Sequence, residues 1–219
     1  MDNPSNLEFQ KKFDSIAKQY NNVSNRYTVK KRIDELQCKN GLILEVGAAV
    51  GSITKKYPSA ICTDISFQMC KQAKMDRKNV ICCDAQMLPL KQNKFDTIIS
   101  AEMIYYLENP EKFMKDAYQI LKINGEILIS MTNEKMNIVD KIRTKLRKLG
   151  LNKMYFDDGL VKFMKISTLE NLLEEQNFEI LSIEKKVLIP INFFDKINKI
   201  LEKTLLNRFC IFIFVKAKK

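Results

Sequence analysis

The sequence predicts a single α/β domain on a doubly wound, mainly parallel sheet of seven strands, with an antiparallel C-terminal edge strand and an N-terminal helical cap. Short apolar runs alternate with helical segments through the middle of the chain, as is typical of a parallel sheet covered on both faces. The 219 residues, 46% hydrophobic and 29% charged, suit one globular domain with a sizeable core. We therefore expect one domain spanning residues 1–219.

Two amphipathic helices are expected before the sheet, at Leu7–Tyr20 and Val23–Cys38. In the first, the apolar side chains recur at the spacing of one helix face. Together these helices form the predicted entry cap, residues 1–40.

The core of the sheet is expected over residues 41–131. Its predicted strands are Leu42–Val46, Ala60–Thr63, Val80–Cys83, Thr97–Ser100 and Glu126–Met131. The predicted helices between them are Ser52–Tyr57, Ser66–Lys74 and Glu111–Leu121. This repeated strand-then-helix order is what predicts parallel pairing.

The rest of the chain is expected to finish the sheet. A basic amphipathic helix is predicted at Glu134–Leu149 within a helical insertion, residues 132–166. Ser167 and Glu170 are predicted to begin the next helix, which extends to about Gln176, as a capping box. Residues 167–219 form the predicted sheet edge: a strand at Phe178–Ile189, a helical excursion through Asp195–Leu206 and a strand at Phe209–Val215. Two strands without a long covering helix favour an antiparallel pair.

Composition limits the kinds of site that the chain can carry. It has no histidine, which removes the commonest metal ligand and the commonest general base at neutral pH. Its six cysteines form no C-x-x-C pair, so no metal site is predicted and the thiols are expected to be reduced and buried. No apolar run reaches the roughly 20 residues of a membrane span, and the N-terminus lacks the apolar part of a signal peptide. We therefore expect a cytoplasmic protein.

The net charge of +11 raises the question of a nucleic-acid or membrane-surface partner. Lysine greatly outnumbers arginine, and no arginine-rich cluster interleaves with aromatic residues as RNA-reading surfaces usually require. A solvated basic surface is therefore the favoured interpretation, and nucleic acid is not the expected partner.

The run Leu42-Ile-Leu-Glu-Val-Gly-Ala-Ala-Val-Gly-Ser52 combines a strand, an acidic residue and a turn of small residues that enters a helix. Gly47, Ala48, Ala49 and Gly51 allow the backbone to pass close to a ligand. N–H groups at a helix start then face whatever occupies the crevice. A tight turn without a ligand would explain the same run, because glycine-rich turns of this kind are weakly specific.

Three acidic residues mark the ends of successive predicted strands. Asp64 follows Glu45 by nineteen residues, and Asp84 follows Asp64 by twenty. Ligands of open α/β sheets bind beyond the carboxyl ends of the strands, where the strand order reverses. One such acid could simply cap a helix, but three in succession favour a common ligand crevice.

In these motifs the chain resembles the class I S-adenosylmethionine-dependent methyltransferases, a Rossmann-like family, over nearly its whole length. LEVGAAVGSIT is similar to their first motif, E/D-x-G-x-G-x-G, TDIS to the second, and DAQMLPLKQNKFDTIIS to the third and fourth. ILKINGEILIS is similar to the strand-five motif L-K-P-G-G, and FDSIAKQY to the entry helix F-x-x-x-A-x-x-Y. The subgroup it looks most like contains quinone-biosynthesis C-methyltransferases and malonyl-thioester O-methyltransferases.

Two positions depart from the family pattern. Ala49 replaces the middle glycine of the first motif, and Asn124-Gly125 replaces the glycine pair of the strand-five motif. Alanine still allows the ligand to approach closely if its φ is negative, so we expect cofactor binding to be retained.

The resemblance implies S-adenosylmethionine as the cofactor and S-adenosylhomocysteine as its product, without a metal. It places the small-residue turn at the methionine end, Glu45 near the amino group, Asp64 at the ribose hydroxyls and Asp84 at the adenine amine. Tyr20 would cover the site from the entry helix. The implied cofactor-binding residues are Tyr20, Glu45, Gly47, Ala48, Ala49, Gly51, Asp64, Ile65, Met69, Asp84, Ala85, Gln86, Ser100 and Ala101.

A catalytic residue is harder to assign. Methyl transfer depends mainly on in-line alignment, and a base is needed only for some acceptors. Many relatives carry a histidine just after strand four, where this chain reads Ala101-Glu-Met-Ile-Tyr-Tyr106. Glu102, Tyr105 and Tyr106 are therefore weak candidates for a base or an acceptor-orienting role, and packing explains the tyrosines equally well.

The expected acceptor is a small molecule of apolar or aromatic character, with its selection left to the entry helices, Thr132–Phe163 and Ile191–Asn207. For the last of these segments the favoured interpretation is a cap on the sheet edge, and the alternative is an apolar lid that would suit a lipid-like or aromatic acceptor. The sequence indicates neither C-, N- nor O-methylation and is compatible with a monomer or a homodimer.

Three other functions share some of these features. A nicotinamide dehydrogenase would need glycines matching Gly47, Ala49 and Ser52, and two of the three fail. An RNA methyltransferase would suit the charge, but the N/D-P-P-Y/F motif after strand four is replaced by AEMI. A non-catalytic interaction protein of the same fold is the third alternative.

Overall fold

The computed structural model describes residues 5–20, 26–38, 41–137, 163–190 and 192–219. The strands in these ranges are β1 Ile43–Val46, β2 Ile61–Asp64, β3 Val80–Cys82, β4 Phe95–Ala101, β5 Leu121–Thr132, β6 Glu179–Lys186 and β7 Phe212–Lys218. The helices are α1 Asn6–Ile16, α2 Arg26–Glu35, α3 Phe67–Asp76, α4 Pro110–Ile120, α5 Ile166–Glu175 and α6 Asp195–Leu201. None of the helices in these ranges is long and apolar enough to cross a membrane.

The described strands form one sheet in the order β3-β2-β1-β4-β5-β7-β6. β1 to β5 are parallel, with Leu44 of β1 between Ile61 of β2 and Ile98 of β4. β2 and β3 are added in turn on one side of β1, and the chain then crosses over to form β4 on the other side of β1. The strand order therefore reverses between β1 and β4, where open α/β sheets form their ligand crevice. The predicted fold class is confirmed.

The antiparallel part of the sheet is also confirmed, with one difference in its order. Val215 of β7 lies opposite Ile129 of β5 on one side and opposite Ile183 of β6 on the other, and both pairings are antiparallel. The C-terminal strand is therefore one place inside the edge, which β6 forms. Residues 212–215 are all buried, as an inner strand requires, whereas no residue of β6 is fully buried.

Helices cover both faces of the sheet. Phe113 of α4 and Leu169 of α5 are fully buried in one cluster with Ile98 of β4. On the opposite face, Leu36, just after α2, packs with Ile99 of β4. Successive residues of β4 thus face opposite helical layers, because side chains alternate along a strand.

The segment Ser52–Tyr57, predicted as a helix, forms turns instead. Gly51 at its start has a φ of 73°, which a helix cannot continue through. The backbone of Thr54 then uses its hydrogen-bonding groups elsewhere: its N–H donates to the Glu45 carboxylate, and its carbonyl accepts from Arg77. These bonds replace the ones that a helical turn would make.

Two further details of the helices differ from the prediction. α5 begins after Lys165, which makes no side-chain cap, so Ser167 lies inside the first turn and the predicted capping box with Glu170 is wrong. A capping box does occur on α1, where Ser5 and Glu8 bond to each other's backbone. The first entry helix ends at Ile16 and continues as a short 3-10 turn. Most of the helix predicted at Glu134–Leu149 lies outside the described residues.

Candidate active site

A crevice opens at the carboxyl ends of β1 and β4, where the strand order reverses. Its walls come from the entry helices, the turn after β1 and the end of β4. The lining residues are Tyr20, Val29, Arg32, Glu45, Gly47, Ala48, Ala49, Val50, Ser52, Ile53 and Ala101. Six of the predicted cofactor-binding residues therefore meet in one place: Tyr20, Glu45, Gly47, Ala48, Ala49 and Ala101.

The turn after β1 takes a left-handed backbone three times. The φ angles are 69° at Gly47, 47° at Ala49 and 73° at Gly51. A Cβ at Gly47 would collide with the side chain of Met103, so both the conformation and the space demand glycine there. The expectation that Ala49 has a negative φ is wrong. Alanine instead holds a conformation that costs an L-residue roughly 1–2 kcal/mol, which the hydrogen bonds around the turn offset.

Asp64, at the end of β2, supplies one of those bonds. Its Oδ2 accepts from the Ala49 N–H at 2.7 Å, and its Oδ1 accepts from the Ser66 N–H at 2.9 Å at the start of α3. Burial raises the pKa of this carboxyl, and the neighbouring Asp14 acts in the same direction. The second strand-end acid thus ties the turn that lines the crevice to the start of α3, and its predicted role at the ribose hydroxyls stays a prediction.

The entry helix α1 reaches across the ends of β2 and β3. The side-chain amide of Asn6 donates to Asp84 Oδ2 at 2.8 Å. Further along α1, the Asp14 carboxylate accepts from Ser66 Oγ at 2.6 Å and from the Gln68 N–H at 3.0 Å. Sequence analysis did not select Asn6 or Asp14, because both lie off the apolar face that identified this helix.

Glu45 is buried in the wall of the crevice. Its Oε2 accepts from the N–H of Thr54 at 3.2 Å and from the Thr54 hydroxyl, with Cys62 Sγ at 3.8 Å. Burial raises the pKa of Glu45 to about 7, against the lowering effect of these donors and of the Arg77 charge. Its predicted role at the amino group of the cofactor stays a prediction.

Arg32 is a crevice residue that sequence analysis missed. It lies on α2, and its guanidinium packs over the ring of Phe212, 5.5 Å from the ring centroid. Its Nε donates to the Thr28 carbonyl at 3.3 Å. The only sequence signal was its place in an entry helix, so the fold was needed to bring this cation to the crevice.

Beyond the end of β4, the three weak catalytic candidates form one connected group. Glu102 has a φ of 56°, and its Oε2 accepts from the Tyr105 hydroxyl at 2.9 Å. Two hydroxyls at the end of β5 complete the set: Ser130 Oγ at 2.9 Å and Thr132 Oγ1 at 2.6 Å. A strained residue whose carboxylate collects three hydroxyl donors is a feature that functional sites share.

Aromatic rings connect this group to the entry helix. Tyr105 packs at 4.9 Å on Tyr106 and edge-on to Phe163 at 5.2 Å. Tyr106 in turn meets Phe9 and Phe13 of α1 edge-on, at 5.1 and 5.3 Å. Packing therefore explains the ring of Tyr106, whereas Tyr105 also presents a hydroxyl fixed by Glu102.

The remaining predicted site residues lie around the crevice rather than in its wall. Ser100, at the end of β4, has a buried hydroxyl with no hydrogen-bond partner in the described part of the chain. Met69 is fully buried. Gln86 donates to Asp84 and accepts from the Asn109 N–H at 2.6 Å. The other residues of this group are Gly51, Ile65, Asp84 and Ala85. Their predicted contacts with a cofactor stay predictions.

No group of three or more metal-binding side chains occurs within the ranges that the structure describes. All six cysteines fall in those ranges and are free thiols. The expectation that they are buried is confirmed for Cys62, Cys70 and Cys210, whereas Cys38 and Cys83 are half-buried and Cys82, the last residue of β3, is exposed.

The chain is similar to known proteins both in sequence and in fold. Residues 44–129, from β1 to β5, match a family model described as a methyltransferase domain. An uncharacterised protein of Methanocaldococcus jannaschii is 26% identical, and the alignment covers 84% of this chain and 89% of the relative. A malonyl-[acyl-carrier protein] O-methyltransferase of Geobacter sulfurreducens is 32% identical over 38% of this chain and 35% of the relative.

Among solved structures, the fold is similar to that of an S-adenosylmethionine-dependent methyltransferase from Thermotoga maritima. The TM-score is 0.74 at 18% identity, covering 96% of this chain and 99% of that one. The family match spans the turn after β1 and the ends of β2, β3 and β4, which are the parts that shape the crevice. The match over residues 44–129 thus identifies a methyltransferase domain, and the fold of the chain is that of S-adenosylmethionine-dependent methyltransferases.

Proposed function

We propose that this enzyme transfers the methyl group of S-adenosylmethionine to a small molecule of apolar or aromatic character, in the cytoplasm. The observation that carries the proposal is the left-handed turn of Gly47, Ala49 and Gly51, tied by Asp64 to the neighbouring strand at the point where the strand order reverses. A turn of this kind brings backbone N–H groups, without bulky side chains, against a ligand.

Residues in the crevice and around it fit the three chemical parts of this cofactor. Arg32 supplies a cation for the carboxylate of the methionine end, where side chains around it are small. Asp64 supplies carboxylate oxygens for the ribose hydroxyls. Asp84 supplies carboxylate oxygens that would accept from the adenine amine. In the structure one of them, Oδ2, accepts from the side-chain amide of Asn6. The buried Ser100 hydroxyl, without a partner in the described residues, is a further polar group at the end of β4.

The chemistry places modest demands on the chain. The cofactor, when bound, supplies a methyl group on a positively charged sulfur that is already a good leaving group. The work left to the protein is alignment of the acceptor and exclusion of water. Tyr20 lines the crevice and would cover the bound cofactor, and the hydroxyl of Tyr105 is held in one orientation by Glu102.

A cluster of aromatic rings just beyond the end of β4 supports an apolar or aromatic acceptor. Tyr105 packs in this cluster against both Tyr106 and Phe163. Two proteins of similar fold have names that point to small acceptors. One is a geranyl diphosphate C-methyltransferase, and the Thermotoga protein is called a "possible histamine N-methyltransferase". Both named acceptors are small molecules.

The proposal is tested in two steps. Isothermal titration with S-adenosylhomocysteine should give saturable binding to the purified chain. Radiolabelled S-adenosylmethionine should then label at least one member of a panel of phenols, quinols, fatty acyl thioesters and amines. No heat in the titration would refute the cofactor, whereas labelling of bulk RNA but of no small molecule would replace the proposed acceptor.

A further inference from the structure

The segment from Phe193 to Phe209, here called the α6 segment, turns apolar side chains toward solvent. Phe193 and Leu205 are each 86% exposed, and Ile200 is 66% exposed. Ile197, Leu206 and Phe209 are also exposed. Large apolar residues scattered singly on a surface need no explanation, but six within seventeen residues of one short segment form a patch of the kind that marks an interaction site.

This orientation is fixed by polar contacts on the inner face of α6. Asn198 is 1% exposed, and its Oδ1 accepts from the N–H groups of Leu188 at 3.1 Å and Ile189 at 2.9 Å. Its Nδ2 donates to the Tyr27 hydroxyl at 3.1 Å and to the Ile189 carbonyl at 2.8 Å. A surface helix normally buries its apolar face. In α6 the face that carries Asn198 is buried instead, and the hydrogen bonds of Asn198 hold it against the rest of the protein.

The apolar residues of the helix share the opposite face. Ile197 and Ile200 are spaced by three residues, which places them along one side of α6, and Phe193 lies in the short 3-10 turn just before that helix. Asn198 does not belong to that row. The exposure of these side chains therefore follows from how the helix is anchored and not from loose packing at a chain end.

Charge divides between the two faces in the same way. The acids of the segment are turned inward: Asp195 pairs with Lys31 and accepts from the Tyr27 hydroxyl at 3.0 Å, and Glu202 accepts from the Val187 N–H at 2.7 Å. The cations are exposed beside the apolar row. They are Lys196, Lys199, Lys203 and Arg208.

Basic groups also border the far end of the patch. Lys135 Nζ and the Arg208 guanidinium each lie 4.9 Å from the centroid of the Phe209 ring. The outward face is therefore apolar in the middle and positively charged around it. A partner that complements this face has a layer of negative charge at its surface and an apolar interior beneath that layer.

We propose that the α6 segment docks the enzyme on an anionic lipid surface. Phe193, Ile200 and Leu205 would enter the boundary between head groups and acyl chains, while the lysines meet the negative head groups. An RNA partner would gain from the lysines but little from exposed aliphatic side chains, because RNA is bound through phosphate contacts and through stacking on aromatic or arginine planes. The lipid surface alone uses both parts of the patch.

The α6 segment is attached to two elements that lie beside the candidate active site. Through Tyr27 and Lys31 it is attached to α2, the helix that carries the crevice residue Arg32. At its other end, Asn133 Nδ2 donates to the carbonyls of Arg208 at 3.2 Å and Cys210 at 2.8 Å, directly after β5. Docking would thus bring the acceptor side to a lipid-borne acceptor; this last step rests on the proposed function.

The test is co-sedimentation of the full chain with vesicles. One set contains phosphatidylcholine and phosphatidylglycerol in equal amounts, and the other contains phosphatidylcholine alone. We expect binding to the mixed vesicles and at least tenfold weaker binding to the neutral ones. Ile200→Ser with Leu205→Ser, and separately Lys196→Glu with Lys203→Glu, should each weaken binding to mixed vesicles by about tenfold or more.

The matched control replaces two equally exposed apolar residues far from the segment, Ile123→Ser with Met75→Ser, and should bind like the unchanged chain. All three variants alter exposed side chains, so their melting temperatures should stay close to that of the unchanged chain. Equal binding by all variants, or a dimer of the unchanged chain that Ile200→Ser with Leu205→Ser dissociates, would overturn the docking proposal. So would binding to transfer RNA with no binding to vesicles.

Vesicle binding and cofactor binding are separate measurements, so the two proposals fail separately. Vesicle binding by a chain that gives no heat with S-adenosylhomocysteine would support docking and refute the proposed function. A chain that binds S-adenosylhomocysteine but neither vesicle set refutes docking alone.

Discussion

The Asp64 carboxylate accepts a hydrogen bond from the backbone N–H of Ala49 at 2.7 Å, so a side chain of β2 fixes the turn that follows β1. The other oxygen accepts from the Ser66 N–H at the start of α3. One buried acid thus joins two neighbouring strand ends and a helix start. The same group would hold the ribose of the cofactor, which couples the shape of the turn to the site that it lines.

Asp64→Asn should weaken binding of S-adenosylhomocysteine by at least tenfold. A neutral amide loses the charge-assisted acceptance of hydroxyl donors, and such bonds contribute roughly 1.5–3 kcal/mol each. Isothermal titration measures the change. Asp76→Asn is the control, because Asp76 is exposed on α3 and pairs only with Lys55 in the described structure. An affinity for the Asp64→Asn variant equal to that of the unchanged chain would remove Asp64 from the site.

Arg32 can be tested with two ligands that differ at one end. Arg32→Met should weaken binding of S-adenosylhomocysteine by about tenfold or more, because in the proposed site the guanidinium would pair with the carboxylate of the methionine end. It should leave 5′-methylthioadenosine, which has no carboxylate, within about twofold of the unchanged chain. Asp64→Asn, in contrast, should weaken both ligands. Equal losses for both ligands in Arg32→Met would mean that the substitution disturbs the fold of α2 and not one ionic contact.

Ala49→Gly should stabilise the protein by about 0.5–1 kcal/mol. Glycine removes the roughly 1–2 kcal/mol cost of the left-handed backbone, and the greater freedom of the unfolded chain offsets about 0.4–1 kcal/mol of that gain. Urea unfolding at pH 7 gives the difference in the free energy of unfolding. Ala48→Gly serves as the comparison, since Ala48 is buried and lies outside the left-handed region. It should destabilise, and a stabilising effect of both substitutions would contradict the strain argument.

Glu45 should make the protein less stable as the pH rises toward neutrality. Burial raises its pKa to about 7 from an ordinary value of 4.5, so between these values the folded state holds a proton that the unfolded state has lost. The contribution of Glu45 to the free energy of unfolding is then most favourable below pH 4.5. It falls as the pH rises to about 7 and levels off above that pH. A shift of this size corresponds to a penalty on the order of 3 kcal/mol.

The substitution Glu45→Gln should flatten that dependence. Thermal melts at a series of pH values between 5 and 8 should show a smaller fall in melting temperature for the variant than for the unchanged chain. Glu175→Gln, at an exposed position of α5, should keep the full slope. Parallel profiles for Glu45→Gln and the unchanged chain would show that Glu45 does not titrate differently in the two states.

Much of the fold was predictable from the sequence because its signals are local. Buried parallel strands appear as short apolar runs, and acids placed directly after them fall at one edge of the sheet wherever the strands pair in parallel. Asp64 is expected at a strand end on this basis, and the structure has it at the end of β2, bonded to the turn that lines the crevice. The same reasoning identified Gly47, whose φ and surroundings both exclude a side chain.

The unpredicted features depend on contacts between distant parts of the chain. Asn6 meets Asp84 across 78 positions of sequence, and Tyr27 meets Asn198 across 171. Neither Asn6 nor Tyr27 belongs to a periodic sequence pattern, so only the fold brings each of them to its partner. The turns at Ser52–Tyr57 were mistaken for a helix for a related reason: the competing bonds come from Glu45 and Arg77, which lie on other elements.

The group around Glu102 provides a test on the acceptor side. Glu102→Gln replaces a carboxylate that collects three hydroxyl donors with an amide whose NH₂ cannot accept, so Tyr105 should lose its fixed orientation. We expect kcat to fall by roughly 10–100-fold through loss of alignment of the acceptor, while the Kd of S-adenosylhomocysteine stays within about twofold. Tyr105→Phe should lower kcat in the same direction.

The acceptor that the labelling panel identifies provides kcat and KM, and titration provides the Kd. Tyr118→Phe is a suitable control, because this tyrosine packs edge-on against Phe178 between α4 and the sheet edge, away from the crevice. A purely structural role would lower the melting temperature and weaken cofactor binding together with kcat. Normal turnover in both Glu102→Gln and Tyr105→Phe would exclude the group from acceptor positioning and leave the strained backbone of Glu102 as a feature of the turn alone.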